Sequence, residues 1–177
     1  MILVRRDGKE TKMEEDEKKW KEICLLDEKI SISLPEEWTK MPDEMAEQKF
    51  PYLSKPQEMY VNENTDSIIT FNLLEKELKE DEVHAAISEI QRMIGHMYPE
   101  SINKSSTVLR VEAGMAGWFS YVTGSVEQDN VHIMFIMSCN GKMLLGGYHF
   151  PDGQQKTGTI FFFQVLKKLA ILEKEEN

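Results

Sequence analysis

Cysteine is scarce in this chain, and what there is does not cluster. Cys24 and Cys139 are the only two among 177 residues. With no CxxC pair and no Cys/His group, neither a zinc site nor a redox motif is indicated. Each lies in an apolar run, so both read as buried, reduced thiols; a disulfide between them is the other reading. Long hydrophobic runs are missing too: no stretch approaches the roughly 20 apolar residues needed to cross a bilayer. The first residues, MILVRRDGKETK, turn from apolar to charged at once, unlike a secretory signal, so the expected compartment is the cytoplasm. Positive charge is in deficit, 21 Lys and Arg against 31 Asp and Glu, for a net charge of −10. Nucleic acid and anionic membranes are therefore disfavoured partners, and no basic stripe with interleaved aromatics offers a local exception. G-x-S-x-G, Walker, H-E-x-x-H and G-x-G-x-x-G patterns are all absent, so no enzyme, no metal and no cofactor is expected.

What the chain does have is an ordinary globular make-up. Hydrophobic residues are 41% and charged residues 29%, and the length suits one domain able to bury a core without disulfides or metal. Its centre is Gly114 to Phe150, which reads as three antiparallel strands broken at Gln128-Asp129-Asn130 and at Asn140-Gly141, the latter a tight hairpin signal. In the middle strand Val131, Ile133, Phe135, Met137 and Cys139 share one face while Met134 and Ile136 lie on the other. A strand apolar on both faces predicts cover on both sides of the sheet.

Around this meander the remaining elements fall in order. Residues 1–22, with seven Lys/Arg and seven Asp/Glu, read as a charged arm with too few apolar side chains to anchor, and the packed domain is expected from Ile23 to Leu172, before a frayed tail at 173–177. Met13, Trp20 and Cys24 are spaced for a narrow helical stripe. Ile30, Ile32 and Leu34 alternate with serines as a half-buried strand that Pro35 ends. A brief helix follows Pro42, then an extended connector through Phe50-Pro51-Tyr52 and Lys55-Pro56. Met59–Val61 and Ile68–Leu74 form a hairpin about NENTDS. From Asp81, read as an N-cap, the stripe Val83, Ile87, Ile90, Ile94 and Met97 marks an amphipathic helix over 81–98 that should face the sheet. A strand over 107–113 precedes the meander. A final helix, 159–169, follows Thr157 as its N-cap. Gly146-Gly147 reads as a bulge or a crossing helix.

The segments ISISLPEEW (30–38), YVNENTDSIITFNLLE (60–75), GMAGWFSYV (114–122) and GKMLLGGYHFP (141–151) together resemble the PsbP-like fold, shared by the photosystem extrinsic protein, the Ran-binding Mog protein and the bacterial DcrB-like proteins. The resemblance covers about Ile23 to Leu172 and is greatest to small bacterial cytoplasmic members. It implies an α+β fold, a mainly antiparallel twisted sheet sandwiched between helices. Its characterised branches imply partner binding or a chaperone-like role. Fold alone assigns no function.

Candidate site residues are few. His84 and His96 share a helix about three turns apart, too far for one metal, and read as solvated. His132 and His149 lie on meander strands that could bring them together, though no carboxylate pattern singles them out. The acidic groups Glu36-Glu37, Asp43-Glu44 and Glu80-Asp81-Glu82 lack a calcium-loop spacing and read as solvated. The chain holds 11 methionines, and Met41, Met45 and Met59 gather near Trp38, Phe50 and Tyr52. Flexible thioethers beside aromatics suit an adaptable recognition surface, and they suit core filling equally. The functional expectation is a non-catalytic protein-binding, scaffolding or chaperone-like module whose partner is another protein or a second copy. The alternative is a small-molecule binder or enzyme with a pocket between sheet and helix.

Overall fold

The computed structural model describes residues 19–50 and 55–172. The elements, in chain order, are β1 (Trp20–Leu25), β2 (Ile30–Pro35), β3 (Thr39–Lys40), α1 (Asp43–Lys49), β4 (Glu58–Val61), β5 (Ile68–Glu77), α2 (Val83–Met97), β6 (Ile102–Asn103), β7 (Thr107–Val111), β8 (Gly114–Thr123), β9 (Asn130–Cys139), β10 (Lys142–Pro151), α3 (Gln155–Lys168) and β11 (Ala170–Ile171). Single 3-10 turns, Glu80–Glu82 and Asp152–Gln154, lead into α2 and α3.

The meander forms as its sequence predicts. Asn140 and Gly141 take φ of 50° and 80°, a two-residue turn that pairs Cys139 with Lys142 and so sets the register of β9 on β10. The main sheet has eight strands in the order β3-β4-β5-β10-β9-β8-β6, with β7 also on β8. All its ladders are antiparallel. The two-faced strand receives cover on both sides. Val131, Ile133, Phe135, Met137 and Cys139 enter the larger core with α3 residues Phe162, Val165 and Leu166. Ile136 enters a second core with Val83 and Ile87 of α2. On that same face α1 covers Met59, Val61 and Ile68. The fold is thus α+β with a mainly antiparallel sheet between helices, as expected.

Sequence reading differs from the structure at several points, each with a local cause. The α3 side of the sheet is covered by a helix and also by a separate three-stranded sheet, β1-β2-β11, whose last strand is two residues placed by pairing with Ile30 and Ser31 far away in sequence. Helix α3 begins at Gln155, and Thr157 lies inside it, its hydroxyl donating to Gln154 O. Helix α2 is capped through its 3-10 turn, where Glu82 accepts from Lys79 N at 2.9 Å, so Asp81 is not the cap. No bulge occurs at Gly146-Gly147; pairing with β5 and β9 runs straight through both, and the shift lies at Lys142/Met143. Cys24 is exposed because Ile23 and Leu25 take the inward positions of β1; Cys139 is buried, and both thiols are free.

The ordered fold takes in Trp20, Lys21 and Glu22, which the sequence reading assigned to the arm. Trp20 is extended in β1, not helical. It stacks on Phe161 with ring centroids 5.9 Å apart, and Lys168 Nζ lies 4.1 Å from its centroid. Lys21 donates to the carbonyls of Glu36 and Trp38, fastening β1 to the corner after β2. Trp20→Ala is therefore expected to cost about 2 kcal/mol, removing a half-buried ring, its stack and its cation contact. Glu22→Ala, at an exposed position, should stay within about 0.5 kcal/mol. Urea unfolding of the two variants against the parent measures both.

Candidate functional site

The register of the main sheet lays out the site. On the face that carries α1 and α2, pairing aligns Ile68 of β5, His149 of β10, His132 of β9 and Tyr121 of β8 in one cross-strand row. Beside it runs a second row, Thr70, Gly147, Met134 and Phe119. Helix α1 lies over the β4–β5 side and α2 over the β8–β9 side, so β10 floors the space between them. Leu145 is half-buried there and Leu74 is 36% exposed.

A continuous path of rings crosses this space from one helix end to the other. Tyr98, the C-cap of α2, stacks on Tyr121 at 6.1 Å. Tyr121 stacks on His132 at 4.7 Å, and His132 meets His149 edge-on at 4.9 Å. His149 in turn lies 6.5 Å from Phe50, the C-cap of α1. The histidines are hydrogen-bonded, Nδ1 to Nδ1, at 2.7 Å. Because the centroids are only 4.9 Å apart at that nitrogen separation, the two nitrogens face each other across the gap between the rings. That is the geometry of a shared proton, and it leaves no apex for a metal between them. Thr123 Oγ1 meets the other nitrogen of His132, Nε2, at 2.7 Å.

Thr123, His132 and His149 therefore form one chain with a fixed logic. A neutral imidazole has one donor and one acceptor nitrogen. If Thr123 donates to His132, then His132 donates to His149, and His149 Nε2 carries the outward proton. If Thr123 accepts, the order reverses and Nε2 offers a lone pair. Both rings are held neutral: burial pushes His132 down to about 4, and burial followed by the His132 charge pushes His149 down to about 3. Tyr121 stays protonated, raised to about 12 by burial and then by Tyr98. Among the described residues, His149 Nε2 is the one nitrogen of the pair with no hydrogen-bond partner.

The residues singled out in the sequence disperse. Trp38, Met41 and Met59 are buried. Trp38 stacks on Phe161 at 5.0 Å on the α3 side of the sheet, whereas Met41 and Met59 pack under α1 with half-buried Met45 and Phe50. Tyr52 lies outside the described residues. Of the described members of the set, Met45 and Phe50 retain surface a partner could touch without opening the fold. His84 and His96 are exposed. Glu80 has a structural role, accepting from Met115 N at 2.9 Å and pairing with Arg110 at 3.1 Å. The His pair was within reach of the sequence: a two-residue turn at Asn140-Gly141 pairs 139 with 142, and counting outward sets 132 against 149. Exposure of Met93 (53%), Met97 (62%) and Tyr98 (44%) was not. Met97 has the phase of the buried stripe and is exposed all the same.

A second concavity, about 510 Å³, lies at the other end of α2, between Asp81, Val83 and His84 and the residues Val108, Arg110 and Met115. Among the described residues no group of three or more His, Cys, Asp or Glu is placed to hold a metal, and no helix is long and apolar enough to cross a membrane.

Set beside known proteins, the chain is similar in fold to several solved structures and in sequence to none of them closely. Cyanobacterial PsbP from Synechocystis superposes with a TM-score of 0.60 at 8% identity, covering 88% of this chain and 94% of that one. The Ran-binding protein Mog1p of Saccharomyces cerevisiae gives 0.53 at 12% identity, covering 88% and 96%. LpqN of Mycobacterium tuberculosis, described as involved in cell envelope biogenesis, gives 0.52 at 9%, covering 81% and 83%. No protein-family profile matches the chain, and no curated protein matches it by sequence. At these identities the fold is PsbP/Mog1-like, and no more than the fold is common ground.

Proposed function

We propose that this chain is a non-catalytic protein-binding module that engages its partner with the sheet face between α1 and α2. The observation that carries this reading is the exposure of Met93, Met97 and Tyr98 at the carboxyl end of α2, contiguous through Tyr98 with the ring path that ends at Phe50. Large apolar side chains gathered at one end of a helix, beside half-buried aromatic and methionine residues, have the make-up of an interface centre. A fold neighbour described as Ran-binding is compatible with a protein as partner.

The test pairs Met93→Glu/Met97→Glu with the control Ile160→Glu, on exposed positions of α2 and α3. In affinity purification from the native cell, the parent and the α3 control should retain a stoichiometric partner, another protein or a second copy, that the α2 variant loses. A partner retained equally by all three would sink the assignment of this face. The competing reading, a small-molecule site, draws on the concavity at the amino end of α2. Thermal-shift responses to a metabolite panel, abolished by Val108→Trp with no protein partner found, would favour it.

A further inference from the structure

We infer that β1 is an open strand edge through which two copies of this chain pair, antiparallel about a two-fold axis at Ile23, on the α3 side of the main sheet and apart from the face between α1 and α2. Among the described residues β1 is hydrogen-bonded along one side alone, to β2. Which backbone groups it leaves free follows from alternation along a strand. Lys19 O accepts from Glu36 N and Leu25 O accepts from Lys29 N, so the odd-numbered residues turn their N–H and C=O toward β2. Those of Trp20, Glu22 and Cys24 point outward, and Glu22 and Cys24 are exposed. The usual guards of such an edge are missing. The strand is six residues long, holds no proline and pairs with β2 without a shift of register, and Lys21 turns its ammonium to the carbonyls of Glu36 and Trp38. By contrast β3, β6 and β11, which also end sheets, have two residues each.

A second copy is the partner that the strand's own residues select. Charge does not oppose the approach: the chain carries −10 overall, but residues 19–29 balance Lys19, Lys21 and Lys29 against Glu22, Asp27 and Glu28. A strand added antiparallel must meet outward groups with outward groups, so an even-numbered residue faces an even-numbered one. An axis at Glu22 sets Glu22 against Glu22, and one at Lys21 sets Lys21 against Lys21. Like charges directly opposite disfavour both. An axis at Cys24 would run Glu22 against Leu26, and Leu26 has left the extended conformation, with φ of 56°. The axis at Ile23 has neither fault. Glu22 of each copy then exchanges backbone hydrogen bonds with Cys24 of the other, Lys21 lies opposite Leu25, and the two Ile23 side chains meet in the closer, non-hydrogen-bonded kind of pair. Ile23 is half-buried against the larger core, so its contact with the second Ile23 extends a surface the fold has already begun to cover.

The test uses the full chain in sedimentation equilibrium, from micromolar to millimolar concentration, where a monomer–dimer equilibrium is expected. Glu22→Pro removes an outward N–H and no bond to β2, and should abolish the dimer. Cys24→Lys sets a lysine opposite Glu22 of the other copy and should tighten the dimer roughly fivefold, while Cys24→Glu sets like charges opposite each other and should weaken it by about as much. Both changes fall at an exposed position, so they read the register even if the proline variant does not fold. In the parent a short bismaleimide should join the two Cys24 residues, whose Cα atoms lie about 8 Å apart in this register, and an isotope-filtered NOE should link Ile23 Hα of labelled and unlabelled copies. A chain monomeric to millimolar concentration, or a dimer indifferent to Glu22→Pro and to the charge at residue 24, overturns the inference. A dimer lost on Met93→Glu/Met97→Glu and kept on Glu22→Pro would put the second copy on the face between α1 and α2, and overturns it too.

Discussion

Gly146→Ala is expected to lose roughly 3 kcal/mol or more of folding stability, from a change of one methyl group. Gly146 lies in β10 on the face of the larger core, directly opposite Phe135 of β9. The Phe135 ring lies across the glycine: an added Cβ would stand 2.0 Å from its Cε1 and 2.3 Å from its Cζ. The ring has nowhere to go. It meets Phe71 edge-on at 6.2 Å and Phe162 at 5.7 Å, and is itself only 2% exposed. Moving it displaces β5 side chains on one side and α3 on the other, in an interior packed as densely as a crystal. For a domain of this size the loss corresponds to a melting temperature lower by about 10 °C. Gly153→Ala is the control, since nothing lies within 4 Å of a Cβ there, and it should stay within about 0.5 kcal/mol. Phe135→Leu in the same chain should recover part of the Gly146→Ala loss, giving a coupling of about 1 kcal/mol or more in a double-mutant cycle. If Gly146→Ala melted with Gly153→Ala, the packing of Phe135 over the glycine would be wrong.

Gly146 also shows where sequence reading reaches its limit. Two adjacent glycines in a strand read as a bulge or a crossing helix, yet pairing runs through both without a bulge. What approaches Gly146 is a ring from the facing strand, and at Gly147 it is a histidine of the same strand. Elements whose periodicity spans several turns or alternations were legible. The stripe of α2 and the two-faced β9 each repeat a local rule often enough to outweigh context. Elements made by a distant partner were not: β11 is two residues long and exists because Ile30 and Ser31 offer an edge. Burial of the methionines likewise depends on which helix comes to lie over them. Met41, Met45 and Met59 read alike in sequence, yet Met41 and Met59 are core under α1 and Met45 is its half-buried edge. The His pair lies between these cases. Its register was fixed by a local turn, but a hydrogen bond between the rings and their desolvation needed α1, α2 and Tyr121 in place.

Between about pH 6.5 and pH 4 the protein should lose roughly 3 kcal/mol or more of stability through His132 and His149, beyond what its carboxylates contribute. The folded state holds His132 at about 4 and His149 at about 3, against an ordinary value near 6.5. Over that window the unfolded chain binds protons that the folded chain refuses. Stability therefore rises with pH there, is fully present above about 6.5, and is lost as pH falls. The pair titrates as a unit. One proton can be taken while a single N–H still bridges the rings, with the cation against the Tyr121 face, but a second sets N–H against N–H and breaks the row. Tyr121, against the His132 face, stays neutral throughout, since burial raises it to about 12. His132→Phe/His149→Phe replaces both partners by apolar rings of similar shape and leaves no orphaned nitrogen. The difference between parent and double variant in urea unfolding, measured from pH 8 to 4, isolates the histidine contribution from that of Asp and Glu. It should be nearly flat above about pH 6.5 and fall by about 1.4 kcal/mol per pH unit for each proton taken up on unfolding. A difference that stayed flat down to pH 4 would mean that the two rings are solvated and titrate normally in the folded protein, and the relay from Thr123 to His149 would lose its footing.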